Sequence, residues 1–262
     1  MGNVEKQYQN SSNLAIRTKI HERYSTNKKD WHEWLFDHYK IESGSTILEL
    51  GAGDGTFWMK NKDRIPEDWK ITLSDFSNGM LKDAQRKIGN NLSITFKAID
   101  IQDIPFEDNS FDTVIANHML YHVPNRLQVI KEVRRVLKPG GVFYSSTIGK
   151  QHMVEFNELL KGFDPNLGFD LTNVQADAFG LENGTEQLEN FFDQVQLTCF
   201  PGGLLIDDVR AIADYIWSSS AKAKEVLSGA IREHFIDYLN EEKKKNGGFI
   251  EITKATGLFE SR

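Results

Sequence analysis

Three polar side chains each close an apolar run. Asp75 follows Lys70–Ser74, Asp100 follows Ser93–Ile99, and Asn117 ends Phe111–Asn117. A further run, Ser45–Leu50, leads through Glu49 into Gly51-Ala52-Gly53-Asp54-Gly55. A carboxylate at such a position can accept two hydroxyl hydrogen bonds from a ribose. Glycines without a Cβ let the backbone turn tightly and approach a ligand, and a helix opening behind them aims its free N–H groups at it. A dinucleotide fingerprint needs its third glycine one residue later than Gly55, which weakens the case for a pyrophosphate. Groups able to move a proton stand just past the Asn117 run: His118, Tyr121 and His122 are the candidate bases, with His21 and Tyr24 next. His32, His38, His152 and His234 fall in no pattern, and no metal-ligand spacing occurs. Cys199 is the single cysteine, so an intrachain disulfide and a multi-cysteine zinc site are both excluded. It reads as a small buried residue of a strand.

These residues need elements to hold them. Ile47, Leu48 and Leu50 make a run expected of a strand covered on both faces. Strands are expected at 45–50, 70–74, 93–99, 111–117 and 142–147, with helices at 57–61, 78–88 and 127–137 between them. The last of these helices is stopped by Lys138-Pro139-Gly140-Gly141. Strands separated by helices imply parallel pairing with right-handed crossovers, and hence a doubly wound α/β sheet whose carboxyl edge carries Gly51, Asp75, Asp100 and Asn117. Ahead of the sheet, a helix from Asn13 to Tyr24 is followed by Ser25-Thr26-Asn27, which supplies a cap for a second helix up to Ile41 with Trp31 and Trp34. Behind it come a helix at 151–163, an irregular loop at 164–179, a short helix at 185–192 capped by Asn183 or Thr185, and a strand at 195–200. Two inserted helices, 206–218 and 222–245, then precede a final strand at 249–254.

The chain has 262 residues with a net charge of −7, which argues against a nucleic-acid partner. The 39% hydrophobic and 26% charged content is that of a folded globular chain. Residues 1–12 are polar and expected to be loose, and they carry no signal-peptide core. No apolar run approaches the ~20 residues that span a bilayer, so no membrane partner and a cytoplasmic location are expected.

Taken together, Ile47–Gly55, Asp75–Leu81, Asp100–Phe106, Ser110–Val114 and Leu137–Gly141 resemble a class I S-adenosylmethionine-dependent methyltransferase of the ubiquinone/menaquinone-biosynthesis-like small-molecule branch. The resemblance covers residues 44–148. It implies a seven-stranded, mostly parallel sheet with the last strand antiparallel. The domains are then an N-terminal helical lid at 1–43, a Rossmann-like cofactor core at 44–148, and a remainder at 149–262 with substrate-lid insertions at 150–180 and 203–247. It implies S-adenosyl-L-methionine as cofactor and S-adenosyl-L-homocysteine as product. Gly51, Ala52 and Gly53 would approach the methionine part, Asp75 would hold the ribose, and Phe76 to Met80 would flank the adenine. Asp100 would accept from its amino group with Ile101 beside it, Asn117 would line the methionine side, and Glu49 would brace the glycine turn.

The reaction so implied is an in-line methyl transfer to N or O of a small molecule or peptide end, in which the protein supplies alignment and desolvation. Substrate choice is expected outside the resemblance, with His21, Tyr24, Trp31 and Trp34 as lid residues. The aromatic side chains and acids there, Asp30, Asp37, Asp164, Asp170 and Asp177 among them, favour a cationic or aromatic acceptor. A nicotinamide-dependent oxidoreductase and a non-catalytic cofactor-binding protein are the alternatives.

Overall fold

The structure, a computed structural model, describes residues 11–89, 93–169, 171 and 174–262. The expectation of a loose N-terminus therefore falls largely outside the described residues, as does Asp170. In chain order the elements begin with α1 (Ser11–Tyr24), α2 (Trp31–His38), β1 (Thr46–Leu50), α3 (Thr56–Asn61), β2 (Lys70–Asp75), α4 (Asn78–Ile88), β3 (Ile94–Ala98) and β4 (Phe111–Asn117). They continue with α5 (Arg126–Val136), β5 (Leu137–Ile148), α6 (Glu155–Phe163), α7 (Val174–Ala178), α8 (Gly184–Glu189) and β6 (Val195–Cys199). The last are β7 (Gly203–Ile206), α9 (Val209–Ser219), α10 (Ala221–Val226), α11 (Gly229–Lys245), β8 (Ile250–Thr253) and β9 (Thr256–Ser261). The chain divides into two units, each with its own core.

The first unit comprises Lys29–Lys150, Val174–Phe200 and Thr256–Arg262. Its seven-stranded sheet has the order β3-β2-β1-β4-β5-β9-β6. β1 lies between β2 and β4 and is parallel to both, and its side chains enter cores packed on the sheet, Ile47 in one and Leu48 and Leu50 in another, so all three are fully buried. Strand order reverses at β1, so a crevice opens beyond the carboxyl ends of β1 and β4, where ligands of open α/β sheets bind. β9 is antiparallel to both β5 and β6.

The second unit comprises the described residues within Met1–Lys28, Gln151–Asn173 and Pro201–Ala255. Here α1, α6, α9 and α11 and the β7–β8 hairpin share one apolar core that includes Ile20, Phe156, Leu204, Ile212, Phe235 and Ile252. A cavity of about 460 Å³ in this unit is lined by Arg23, Asp208, Arg210 and Glu233 among others, and these charges pair with one another across it.

Several expectations shift. The segment 249–254 is not the seventh strand of the main sheet: Ile250–Thr253 pairs with Gly203–Ile206, and the antiparallel strand of the sheet is Thr256–Ser261. Ile250 and Ile252 alternate with exposed neighbours and face the second core, so a half-buried hairpin suits them better than a strand flanked on both sides. The stretch 206–245 holds three helices rather than two, because Ser220 and Ser228-Gly229 each start a new one. The loop 164–179 contains α7. The cap of α2 is Asp30, whose carboxylate accepts from the N–H groups of His32 (2.9 Å) and Glu33 (3.4 Å), while Thr26 bonds Gly203. Residues 1–43 divide between the units, α1 joining the second and α2 the first. Cys199 is exposed, at the end of an edge strand of the sheet.

Candidate functional site

The glycine turn needs its glycines. Gly51, Gly53 and Gly55 have φ of +70°, +56° and +72°, a region that L side chains rarely enter. Their surroundings differ. A Cβ on Gly55 would lie 2.9 Å from the Ala84 Cβ of α4, so this glycine lets the turn pack on a helix. A Cβ on Gly53 would meet nothing within 4 Å, so this is the open side of the turn. The Asp54 carboxylate accepts from the N–H (3.2 Å) and the hydroxyl (2.6 Å) of Thr56 and pairs with Lys87. One N–H expected to face a ligand is thus spent inside the protein.

Asp75 is bound into the same turn. Its Oδ2 accepts from Gly53 N–H at 3.0 Å and its Oδ1 from Ser77 N–H at 2.8 Å, while Ala52 N–H donates to Ser74 O at 2.8 Å. Burial pushes the Asp75 carboxyl up, and these N–H groups oppose the shift. Each oxygen keeps a lone pair for a hydroxyl donor. Beside it Phe76 is 59% exposed, which leaves the face of its ring open to a flat partner. Met80 is half-buried in the first turn of α4. Asp100 is exposed at the end of β3 with its Oδ1 held by Gln102, and Ile101 is half-buried beside it.

Glu49 differs from its expected role. Its oxygens go not to the glycine turn but to Trp58 Nε1 and to Asn117 Nδ2 (3.1 Å). Both donors are neutral, and among the described residues no cation pairs with Glu49. Burial therefore pushes its carboxyl up to about 7. Asn117 Oδ1 in turn accepts from Tyr39 Oη (2.9 Å) and Ser146 Oγ (3.0 Å), which fills that oxygen and leaves one N–H of the amide unassigned. In the sequence Tyr39, Trp58 and Ser146 each read as an ordinary helix, core or strand residue. Only the fold brings their donors to one point.

Past β4 the candidate bases do come together. His118 has φ +50°, and its N–H is shared by the carbonyl (3.0 Å) and hydroxyl (3.2 Å) of Ser146. Burial, and then the facing imidazoles of His32 and His122, push His118 down to about 4. Burial also lowers His122, whose ring lies 4.5 Å from that of Tyr121. Trp31 stacks on Trp34 at 5.2 Å, both meet Phe200 edge-on at 5.3 Å, and Trp31 lies 5.3 Å from His118. Phe200, a terminal strand residue by sequence, completes this aromatic wall. The two other proposed lid residues are in the second unit: Tyr24 is buried, and the His21 ring lies 6.3 Å from those of His152 and Tyr215.

The donor set fits S-adenosylmethionine. A buried carboxylate without a cation, a glycine with open space where a Cβ would stand, a half-satisfied strand-end carboxylate and an exposed phenyl ring lie on one sheet edge. No helix among the described residues is long and apolar enough to cross a membrane.

Comparison with known proteins bears on the same residues. Residues 48–145 match the family model described as a methyltransferase domain. Demethylmenaquinone methyltransferase of Staphylococcus aureus is 30% identical over 217 residues, covering 77% of this chain and 87% of that protein. The enzyme of the same name from Bacillus licheniformis is 31% identical over 160 residues, covering 60% of this chain and 66% of the relative. Phosphoethanolamine N-methyltransferase 2 of Haemonchus contortus, solved with S-adenosyl-L-methionine, superposes with a TM-score of 0.56 at 15% identity. It covers 97% of this chain and 57% of that one, a likeness of fold.

Proposed function

Since the chain belongs to the class I S-adenosylmethionine-dependent methyltransferases, we propose that its acceptor is an aromatic small molecule seated against Trp31, Trp34, Phe200 and His118. When bound, the cofactor supplies a methyl group on a cationic sulfur. Gly51, Ala52 and Gly53 hold its methionine part, Asp75 its ribose, Phe76 and Met80 flank its adenine, and Asp100 with Ile101 reads the adenine edge. Asn117 and Glu49 face the charged end.

The observation that carries the acceptor class is the aromatic wall. It is fixed to the cofactor edge at both ends of α2: Tyr39 bonds Asn117, and Trp31 touches His118. Flat rings are held well by such faces, through offset or edge-on contacts. Asp30 and Asp37 do not favour a cation, because Asp30 is paired with Lys60 and His32 and Asp37 with Lys29 and Arg64. The relatives named for demethylmenaquinone, an aromatic compound, support the same class.

His118, held near 4, stays neutral at pH 7 and is a weak base. Its work is to desolvate and to present a face without adding positive charge beside the sulfonium. A proton leaving a phenolic or enolic acceptor goes to His122, which Tyr121 flanks. The protein acts inside the cell on a small molecule, without a nucleic-acid partner.

Incubation of the purified chain with methyl-labelled cofactor and a cell extract tests this. The expected label is in a ring-bearing small molecule, lost in Trp31→Ala while cofactor binding persists. Label only in aliphatic amines, in protein or in nucleic acid overturns the proposal.

A further inference from the structure

We propose that Arg135 and Glu132 on α5 are positioning residues for cofactor selectivity: they clamp the loop after β3 so that Asp100 is held where it meets the exocyclic amino group of an adenine. The inference rests on the reading of Asp100 as the adenine acceptor.

The loop from Asp100 to Asp108 belongs to no strand or helix, so its backbone polar groups need partners from elsewhere. Arg135 supplies them. Its Nη2 donates to Ile104 O (2.8 Å), and its Nη1 to Phe106 O (2.8 Å) and to Asp108 Oδ1 (2.9 Å). Glu132 Oε2 accepts from Ile104 N–H (3.1 Å), and its two oxygens receive Arg135 Nε (3.0 Å) and Nη2 (2.7 Å) in a bidentate pair. Ile104 is buried, and the Phe106 ring meets Phe111 edge-on at 4.9 Å. The middle of the loop is therefore fixed to the helix at three backbone atoms.

Its leading end is held by a bond to the end of β2 and by bonds within the turn. Asp100 Oδ1 accepts from Gln102 N–H (3.0 Å), Asp100 O accepts from Asp103 N–H (3.1 Å), and Ile99 N–H reaches Asp75 O (3.2 Å). Ile99 thus fixes one side of Asp100, and the clamp on Ile104, four residues on, fixes the other. A planar fork with five donors is what two carbonyls and two carboxylates require; a lysine ammonium cannot meet them all.

Adenine offers a donor at the position where hypoxanthine offers a carbonyl oxygen, which a carboxylate repels. The assay measures dissociation constants for S-adenosylhomocysteine and S-inosylhomocysteine by calorimetry on the full chain. The wild type is expected to prefer the adenosyl ligand about tenfold or more. Asp100→Asn is expected to abolish or invert that preference. Arg135→Lys and Glu132→Gln are expected to weaken adenosyl binding while leaving inosyl binding unchanged, so that the ratio falls toward one. Arg134→Lys, the same change at the exposed neighbour, is expected to keep the wild-type ratio. If Arg135→Lys gives no cooperative melt, Glu132→Gln carries the test. A wild type without preference, or Asp100→Asn that keeps it, defeats the adenine reading itself. Loss of preference in Asp100→Asn with full preference in both clamp variants, or an equal fall for both ligands, overturns the clamp alone.

Discussion

Replacing Glu49 by glutamine separates the charge of this buried carboxyl from its shape. Its folded value of about 7 lies above the ordinary 4.5. The native state thus holds the proton more tightly than the unfolded chain between those values. Stability from this group is complete below pH 4.5 and is lost as pH rises through 7, by about 3 kcal/mol. Glutamine removes that slope. It also offers one acceptor oxygen where Trp58 Nε1 and Asn117 Nδ2 present two donors, which costs about 1–3 kcal/mol at every pH. Glu49→Gln should therefore melt below the wild type at pH 5 and approach or exceed it at pH 8. At roughly 2–4 °C per kcal/mol, the swing is about 6 °C or more. With the net-cationic cofactor the order reverses, because the variant has lost a buried negative charge at this sheet edge that no cation of the described residues compensates: affinity at pH 8 should fall about tenfold or more. Thermal melts across pH 5–8, with and without cofactor, read both effects. Parallel melting curves for the two proteins over that range would refute the assignment of a perturbed carboxyl to Glu49, and unchanged affinity would refute its role as counter-charge.

The glycine turn divides into an open side and a packing side. Gly53→Ala should cost about 1–2 kcal/mol for its positive φ yet abolish S-adenosylhomocysteine binding, whereas Gly55→Ala should lose more stability because of the contact with Ala84; calorimetry showing normal binding by Gly53→Ala would place the ligand elsewhere. His118, lowered to about 4 from 6.5, stabilises the fold above pH 6.5, and that contribution is lost as pH falls through 4. His118→Asn, a residue that tolerates the left-handed region, should show a shallower fall in urea midpoint between pH 7 and pH 4.5, and equal slopes would contradict the neutral, buried imidazole.

How far the sequence could be read follows from which residues carry their own signal. α4 and β4 have the expected bounds because a capped amphipathic helix and a continuous apolar run are local patterns. β9 is different. Its buried residues include Thr256, Gly257 and Ser261, and their burial is imposed by β5 and β6 on either side rather than by their own polarity. A Cβ on Gly257 would lie 2.9 Å from Leu181 and 3.0 Å from Thr198 O, so glycine there records a neighbour far away in sequence. The same holds for α1 and α2. What assigns α1 to the second unit is its packing on α9 in the shared core and, just past its end, the pairing with β7 of Ser25 against Leu204 and Thr26 against Gly203. Nothing near residue 25 announces that.

The site shows the limit most clearly at Glu49 and Asp75. By position in the sequence, Glu49 is the natural brace for a glycine turn two residues on, and Asp75 the natural ribose acceptor. In the fold the brace is Asp75, because β2 ends beside β1 and brings a carboxylate to the N–H of Gly53. Glu49, one residue before the strand's end, points to α3 and β4 instead. Two consequences follow from that exchange. The shape of the turn and the capacity to bind hydroxyls become properties of one side chain, so a change at Asp75 disturbs both, and Asp75→Asn cannot separate them. The charge at Glu49, released from bracing, is left to answer a cation, and it is the buried group at this edge whose protonation falls near neutral pH. Cofactor affinity should accordingly rise as pH passes through 7 in the wild type and stay level in Glu49→Gln, a difference that no loss of turn geometry would produce.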